Sequence, residues 1–491
     1  MQKMVIPMDK SPSQKEVSGK GRKAPSTTGP ARRLPEFLKN RYVRLYLAAF
    51  LFFYLAWALL NYSTAPDTRM YFTMGKGIFR QFTFGYAGEG GRWYPNAFRV
   101  PLFPFIIGFI QLFTGDIDFT CFLFVLLQIL LIPVLPCLGY YFGSQLDRKT
   151  AWGAYLLLLF NPNLIVCSLT VLSDVLFAVF SGLTFLALWK ALERKKDGRF
   201  FTLGLFAGGS CMVRPIMKLY YLCVGLLSLA FFDQWKSILK RFGLFLAGFL
   251  IVISPWLIRN TFLYGRPLFE TNQGLNLLWT NGPLVRIKES DPPEVRELKE
   301  KIIDYGDSRM NIVYYRGWQY FLEHDFEISK KLQKIALEAY MENPGRVLWN
   351  WRKNYLYMSS GMVHHWVLYN RVLSRPFYWK MRGSGVISPG DLDRKWYHLY
   401  LETNRVLIFC YKYLALAGIL LLLWRHRKLG VFIGVHLFYF TGLTAFVAGY
   451  DRYRLNLEIF HTVLIAYPLV FLAGLIRRSV KNQIQGRKEK I

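Results

Sequence analysis

The residues best able to do chemistry form an acidic and a cationic set, and both lie beside long apolar runs. Asp67 leads the acidic set, in Pro66-Asp67-Thr68-Arg69-Met70-Tyr71, directly after the first apolar run. A carboxylate there can take a proton from a hydroxyl. It can equally cap a helix, accepting backbone N–H bonds at the positive end of the dipole. Asp174, after Ser173 at the head of a later run, carries the same two readings. The cationic set is Arg214-Pro215 with Lys218 one turn on, Arg259 in Ser254-Pro-Trp-Leu-Ile-Arg-Asn260, and Arg452 and Arg454 beside Asp451 in a short turn. Arginine makes bidentate bonds to phosphate, so these suit a phosphate clamp. Snorkelling to headgroups, or pairing with Asp451, is the plainer alternative.

Metal chemistry is left open. Asp67, Glu89 and Asp174 suit a divalent cation if they converge. His364 and His365 are adjacent, point different ways on a helix, and read as a surface pair. The six cysteines fall in or beside apolar segments without metal-ligand spacing, and read as small buried hydrophobes. No P-loop or GxGxxG pattern occurs.

The elements that must position these groups are membrane helices. Of 491 residues 53% are hydrophobic and 17% aromatic, and long apolar runs recur. The net charge of +31 does not indicate nucleic acid, because Lys and Arg concentrate in tails and short loops between runs. The pattern predicts an all-α polytopic protein of about ten spans. Behind Asp67, the spacing of Met70, Tyr71, Met74 and Ile78 predicts an amphipathic helix in the interface plane, within a first outer loop over 62–101. The expected organisation is a disordered basic tail (1–40), a transmembrane module (41–260), a mainly helical outer-face domain (261–404), C-terminal spans (405–476) and a basic tail (477–491). Helices are expected near 294–304, 311–342, 345–358 and 392–403, the last capped by Asp391. The positive-inside rule puts both termini in the cytoplasm, and Asp67, Asp174, Arg214 and Arg259 on the outer face.

The order of these elements resembles the GT-C membrane glycosyltransferases that use polyprenyl-phosphate sugars, such as the lipid A aminoarabinose transferases and protein O-mannosyltransferases. The matching features are Asp67…Tyr71, Arg99-Val-Pro-Leu-Phe-Pro104, Leu172-Ser-Asp-Val-Leu-Phe177, Val213-Arg-Pro215, Pro255-Trp-Leu-Ile-Arg-Asn260, Gly274-Leu-Asn-Leu277, Asn343-Pro344 and Arg452-Tyr-Arg454. They cover most of 43–476. The chain departs where the family often has a second acidic residue after the first-loop Asp (here Thr68), and prolines in the last span (here Asn456 and Glu458). The resemblance implies Asp67 as general base and Arg214, Lys218, Arg259 and Arg452 or Arg454 as donor-phosphate ligands. Tyr71, Arg99, Asp174, Asn260 and Asp451 are further site candidates. It implies a polyprenyl-phosphate sugar donor, a lipid, glycan or protein acceptor, and a bacterial inner membrane. A transporter or flippase of lipid-linked sugars is the alternative, and a membrane scaffold a third reading.

Overall fold

The computed structural model describes residues 40–304 apart from 61, 65 and 233, then 316, 318–360, 411–447 and 451–488. The expected N-terminal tail, the histidine pair and the 392–403 helix lie outside the described residues.

Among the described residues the regular structure is helical but for two short ladders. Helix α1 (Arg41–Leu60) leads to β1 (Ser63–Thr64) and α2 (Pro66–Arg80). A hairpin, β2 (Gly85–Ala87) and β3 (Trp93–Pro95), precedes α3 (Leu102–Thr114), α4 (Ile117–Leu131), α5 (Val134–Ser144), α6 (Arg148–Leu159) and α7 (Pro162–Ser168). Strand β4 (Thr170–Val171) then leads to α8 (Asp174–Arg194), α9 (Gly198–Val213), a 3-10 turn (Pro215–Leu219), α10 (Tyr221–Phe231) and α11 (Trp235–Tyr264). Next come α12 (Gln273–Leu278), α13 (Pro293–Asp304), α14 (Trp318–Glu342) and α15 (Pro344–Ser360). The last helices are α16 (411–425), α17 (Arg427–Val447) and α18 (Glu458–Lys488).

Local chemistry sets the boundaries. Asp116 Oδ2 accepts from Phe119 N to start α4, and Asn161 Oδ1 accepts from Leu164 N, with Pro162 pre-set at the first position of α7. Pro66 is the first residue of α2, and Asp67 places a carboxylate in its first turn, at the positive end of the helix dipole. Gly265, at φ +71°, ends α11 in a conformation that only glycine adopts cheaply.

Among the described residues five helices are long and apolar enough to cross a membrane, or six if the bent pair α6–α7 is one span. Together they account for about half of the ten expected spans. Several expected spans are short: α9 has 16 residues and α10 has 11. Apolar Leu51, Phe109, Ile251 and Leu472 remain exposed on the helices, as lipid-facing side chains would.

Tyr71 and Met74 of the stripe on α2 are buried against protein, and α2 lies along α3. Gly75 and Gly108 meet there: a Cβ on Gly108 would stand 2.4 Å from the Gly75 carbonyl oxygen. The apolar stripe therefore fastens α2 to the bundle.

Two contacts bring distant segments together. Strands β1 and β4 pair in parallel, Ser63 with Thr170 and Thr64 with Val171, and Thr68 Oγ1 donates to Val171 O at 2.8 Å. The start of α2 is thus tied to the start of α8. A second apolar core joins Phe84, Tyr86, Ala97 and Phe98 of the first loop to Trp256, Leu275, Phe321 and Leu332. The helices after α11 therefore share a core with the loop that carries Arg99.

Candidate active site

The β1–β4 pairing sets Asp67 at the head of α2 beside Ser173 and Asp174 at the head of α8. Between these ends and the turn after α9 is a cavity of about 390 Å³. Asp67, Tyr71, Arg99, Ser173, Arg214 and Lys218 line it, together with Glu270, Gln273 and Tyr453.

Each acidic candidate faces an arginine. Arg99 Nη2 lies 3.2 Å from Asp67 Oδ1, both about three-quarters buried, with the guanidinium 5.7 Å from the Tyr71 ring centroid. Burial opposes the Arg99 charge, but Tyr71 and Asp67 outweigh it and hold its pKa above the ordinary value. Arg214 Nη2 stands 2.8 Å from Asp174 Oδ1, and Arg214 Nε donates to Ser173 Oγ at 3.2 Å. Asp174 is 2% exposed, and neither of its oxygens accepts a well-aligned hydrogen bond. Its pairing with Arg214 is therefore held by charge more than by alignment. The Arg214 guanidinium lies 5.6 Å from the ring centroids of both Phe177 and Tyr453. Lys218 Nζ donates to Gln273 Oε1 at 3.3 Å.

Tyr71 stands between the two pairs. Asp67, Arg99, Arg214 and Ser173 all act on its hydroxyl. Burial raises its pKa more than the arginines lower it, so it serves as a neutral O–H.

Other sequence candidates lie elsewhere. Arg259 does not line the cavity. It donates to Phe84 O (2.7 Å), Asn96 O (2.8 Å) and Asn260 Oδ1 (2.7 Å), and its guanidinium lies 4.8 Å from the Trp256 ring centroid. Asn260, fully buried, donates to Leu268 O at 2.7 Å. These two therefore tie loops together, which departs from the phosphate-clamp expectation for Arg259. Arg454 is buried too, 2.6 Å from Glu458 Oε1 and donating to Met358 O. The side chains of Asp451, Arg452 and Glu89 lie outside the described residues. Among the described residues no three His, Cys, Asp or Glu side chains converge on a metal site. Asp67 and Asp174 each pair through Oδ1 with a guanidinium.

Glu270 was not anticipated. Its one sequence signal is isolation: it is the sole acidic residue between Asp233 and Glu289. Burial raises its carboxyl pKa, and Lys218 and Arg99 pull it back.

The architecture has the fold of the GT-C membrane glycosyltransferases. Residues 98–258, under half of the chain, match the family model described as dolichyl-phosphate-mannose-protein mannosyltransferase. That stretch includes Arg99, Asp174, Arg214 and Lys218 and excludes Asp67 and Glu270. Among solved structures, the apo oligosaccharyltransferase of Archaeoglobus fulgidus is similar over 91% of this chain and 52% of its own, at 11% identity and a TM-score of 0.50. This chain thus spans about half the length of that protein. ArnT from Cupriavidus metallidurans, solved bound to undecaprenyl phosphate, matches over 86% of this chain and 77% of its own, at 13% identity and a TM-score of 0.36. No curated protein matches the sequence.

The role of Arg259 as a tie has a measurable consequence. Arg259→Ala removes the donor from two backbone carbonyls of the first loop, and each group left unsatisfied costs about 1–3 kcal/mol. Thermal melting should drop by several degrees, while the folded fraction keeps its donor KM. A raised donor KM with an unchanged melting curve would return Arg259 to the ligand set.

Proposed function

We propose that the chain is an integral membrane glycosyltransferase that moves a sugar from a polyprenyl-phosphate donor to an acceptor hydroxyl. The observation that carries this reading is the convergence of Asp67 with Arg214 and Lys218 in one cavity. A single displacement needs a base at one end of the transferred group and an anion holder at the other.

Asp67 takes the proton of the acceptor hydroxyl as that oxygen bonds to the anomeric carbon. The bond from that carbon to the phosphate oxygen breaks, and its electron pair leaves with the lipid phosphate. Arg214 and Lys218 hold the growing charge. Attack opposite the leaving group inverts the anomeric carbon. Arg99 orients Asp67, and the Tyr71 hydroxyl is a donor for the reacting groups.

The test is donor turnover. Purified protein with a polyprenyl-phosphate sugar and an acceptor should release polyprenyl phosphate. Transbilayer movement of the donor without cleavage would instead make the protein a carrier.

The membrane orientation belongs to the same proposal: both termini cytoplasmic, the cavity at the outer face. In a variant lacking the native cysteines, Ser290→Cys should react with an impermeant thiol reagent on intact cells, and Lys195→Cys should not. Reversed labelling would put the cavity inside and remove a lipid-linked donor presented from outside.

A further inference from the structure

We propose that Glu270 is the residue that recognises the transferred sugar, its carboxylate accepting hydrogen bonds from ring hydroxyls of the glycosyl group. The inference rests on reading the cavity as a lipid-phosphate sugar site.

Glu270 belongs to the loop between α11 and α12 and faces the cavity. Its neighbours are fixed on either side. Leu268 O accepts from Asn260 Nδ2 (2.7 Å) and Phe269 O from Trp256 Nε1 (2.8 Å). Thr271 N donates to Ala97 O, and Thr271 Oγ1 to Asp325 Oδ2, both at 2.8 Å. Leu268, Phe269 and Thr271, on either side of Glu270, are thus pinned to α11, to the first loop and to α14. Such a mount fixes a side chain in place before any ligand arrives, as a recognition group requires. It also accounts for the Pro255-Trp-Leu-Ile-Arg-Asn260 motif. Trp256 and Asn260 hold the Glu270 loop, and Arg259 joins Asn260 to the loop that carries Arg99.

The mounted carboxylate makes no hydrogen bond or ion pair among the described residues. Its surroundings say what it would take. It lines the same cavity as Lys218 and Arg214 on one side and Arg99 and Asp67 on the other. A carboxylate repels phosphate, which excludes it as a donor-phosphate ligand. The part of the substrate that lies between the phosphate and the acceptor hydroxyl is the sugar ring. Ring hydroxyls are donors, and a carboxylate has acceptor sites for two of them at once.

The experiment compares binding of undecaprenyl phosphate with that of undecaprenyl phosphate bearing mannose, glucose or arabinose, to full-length protein and to Glu270→Gln. Wild type should bind at least one glycosylated lipid more tightly than the bare lipid. In Glu270→Gln that preference should shrink by roughly tenfold to a hundredfold, the loss of a charge-assisted hydrogen bond. Binding of the bare lipid should hold or tighten, because a negative charge beside the phosphate site is gone. Thermal melting should not move, since the carboxylate has no hydrogen-bond or ion-pair partner among the described residues. An unchanged preference, or equal weakening towards all four lipids, would overturn the role of Glu270 and leave the proposed function standing. A wild type that binds none of the lipids would overturn both.

Discussion

Asp67→Asn should reduce glycosyl transfer by roughly 10²–10⁴-fold, the range of a lost general base, while thermal melting barely moves. The two readouts separate because Asp67 has two possible jobs. Its place in the first turn of α2 is helix-start chemistry, which Asn performs about as well. The lost dipole interaction is worth about 0.3–1 kcal/mol. Against Arg99 the amide keeps an oxygen acceptor, so the guanidinium is not left without a partner. Neither change unfolds a membrane bundle. An amide, however, cannot take the proton of an acceptor hydroxyl. Donor binding should survive, because Arg214 and Lys218 are untouched. Asp67→Ala measured alongside removes the capping acceptor as well, so it should melt earlier than the Asn variant. If the Asn variant turns over normally and only the Ala variant is unstable, Asp67 is a cap. Of the acidic candidates Glu270 would then inherit the role of base, because Asp174 is buried under Arg214.

The division between what the sequence reveals and what it hides follows from locality. Asp67 and Arg214 carry local signals, a helix start and a break in an apolar hairpin, and both reach the cavity. Arg259 carried the same kind of signal, an arginine at a span end, and does something else. Its carbonyl partners, Phe84 and Asn96, are 175 and 163 residues away. No local pattern reports which distant carbonyl needs a donor. Arg454 is parallel: its buried partner Glu458 is one turn away, and only packing decides that the pair faces inward. Glu270 was missed for the converse reason. Its own sequence is an unremarked loop, and its meaning comes from bonds made by its neighbours to three other elements. Strands β1 and β4 are two residues each, too short to show periodicity, yet their pairing assembles the site. Apolar length alone does not separate a spanning helix from a short apolar one such as α10, so a count of spans read from sequence stays coarse.

The second large effect is expected at Arg214, where stability and function have to be pulled apart. Arg214→Ala leaves Asp174, 2% exposed, as an uncompensated buried carboxylate. Breaking a buried pair from one side costs about 3–5 kcal/mol. That variant should fold poorly, and its inactivity alone would say nothing about substrate. Arg214→Lys keeps a cation near Asp174 but loses the planar fork. It should fold, with donor binding weakened by about 1.5–3 kcal/mol, the worth of a hydrogen bond to a charged group. The decisive variant replaces both partners, Arg214→Gln with Asp174→Asn. With the charge gone from both sides, the desolvation penalty goes too, and the two amides can still bond to each other and to Ser173. Melting should return close to wild type. If Arg214 holds the donor phosphate, this stable protein should still show a donor KM raised by one to two orders of magnitude. Recovery of donor KM together with stability would mean that Arg214 exists to neutralise Asp174. Lys218, with Gln273 as its described protein acceptor, would then be the remaining phosphate ligand in the cavity.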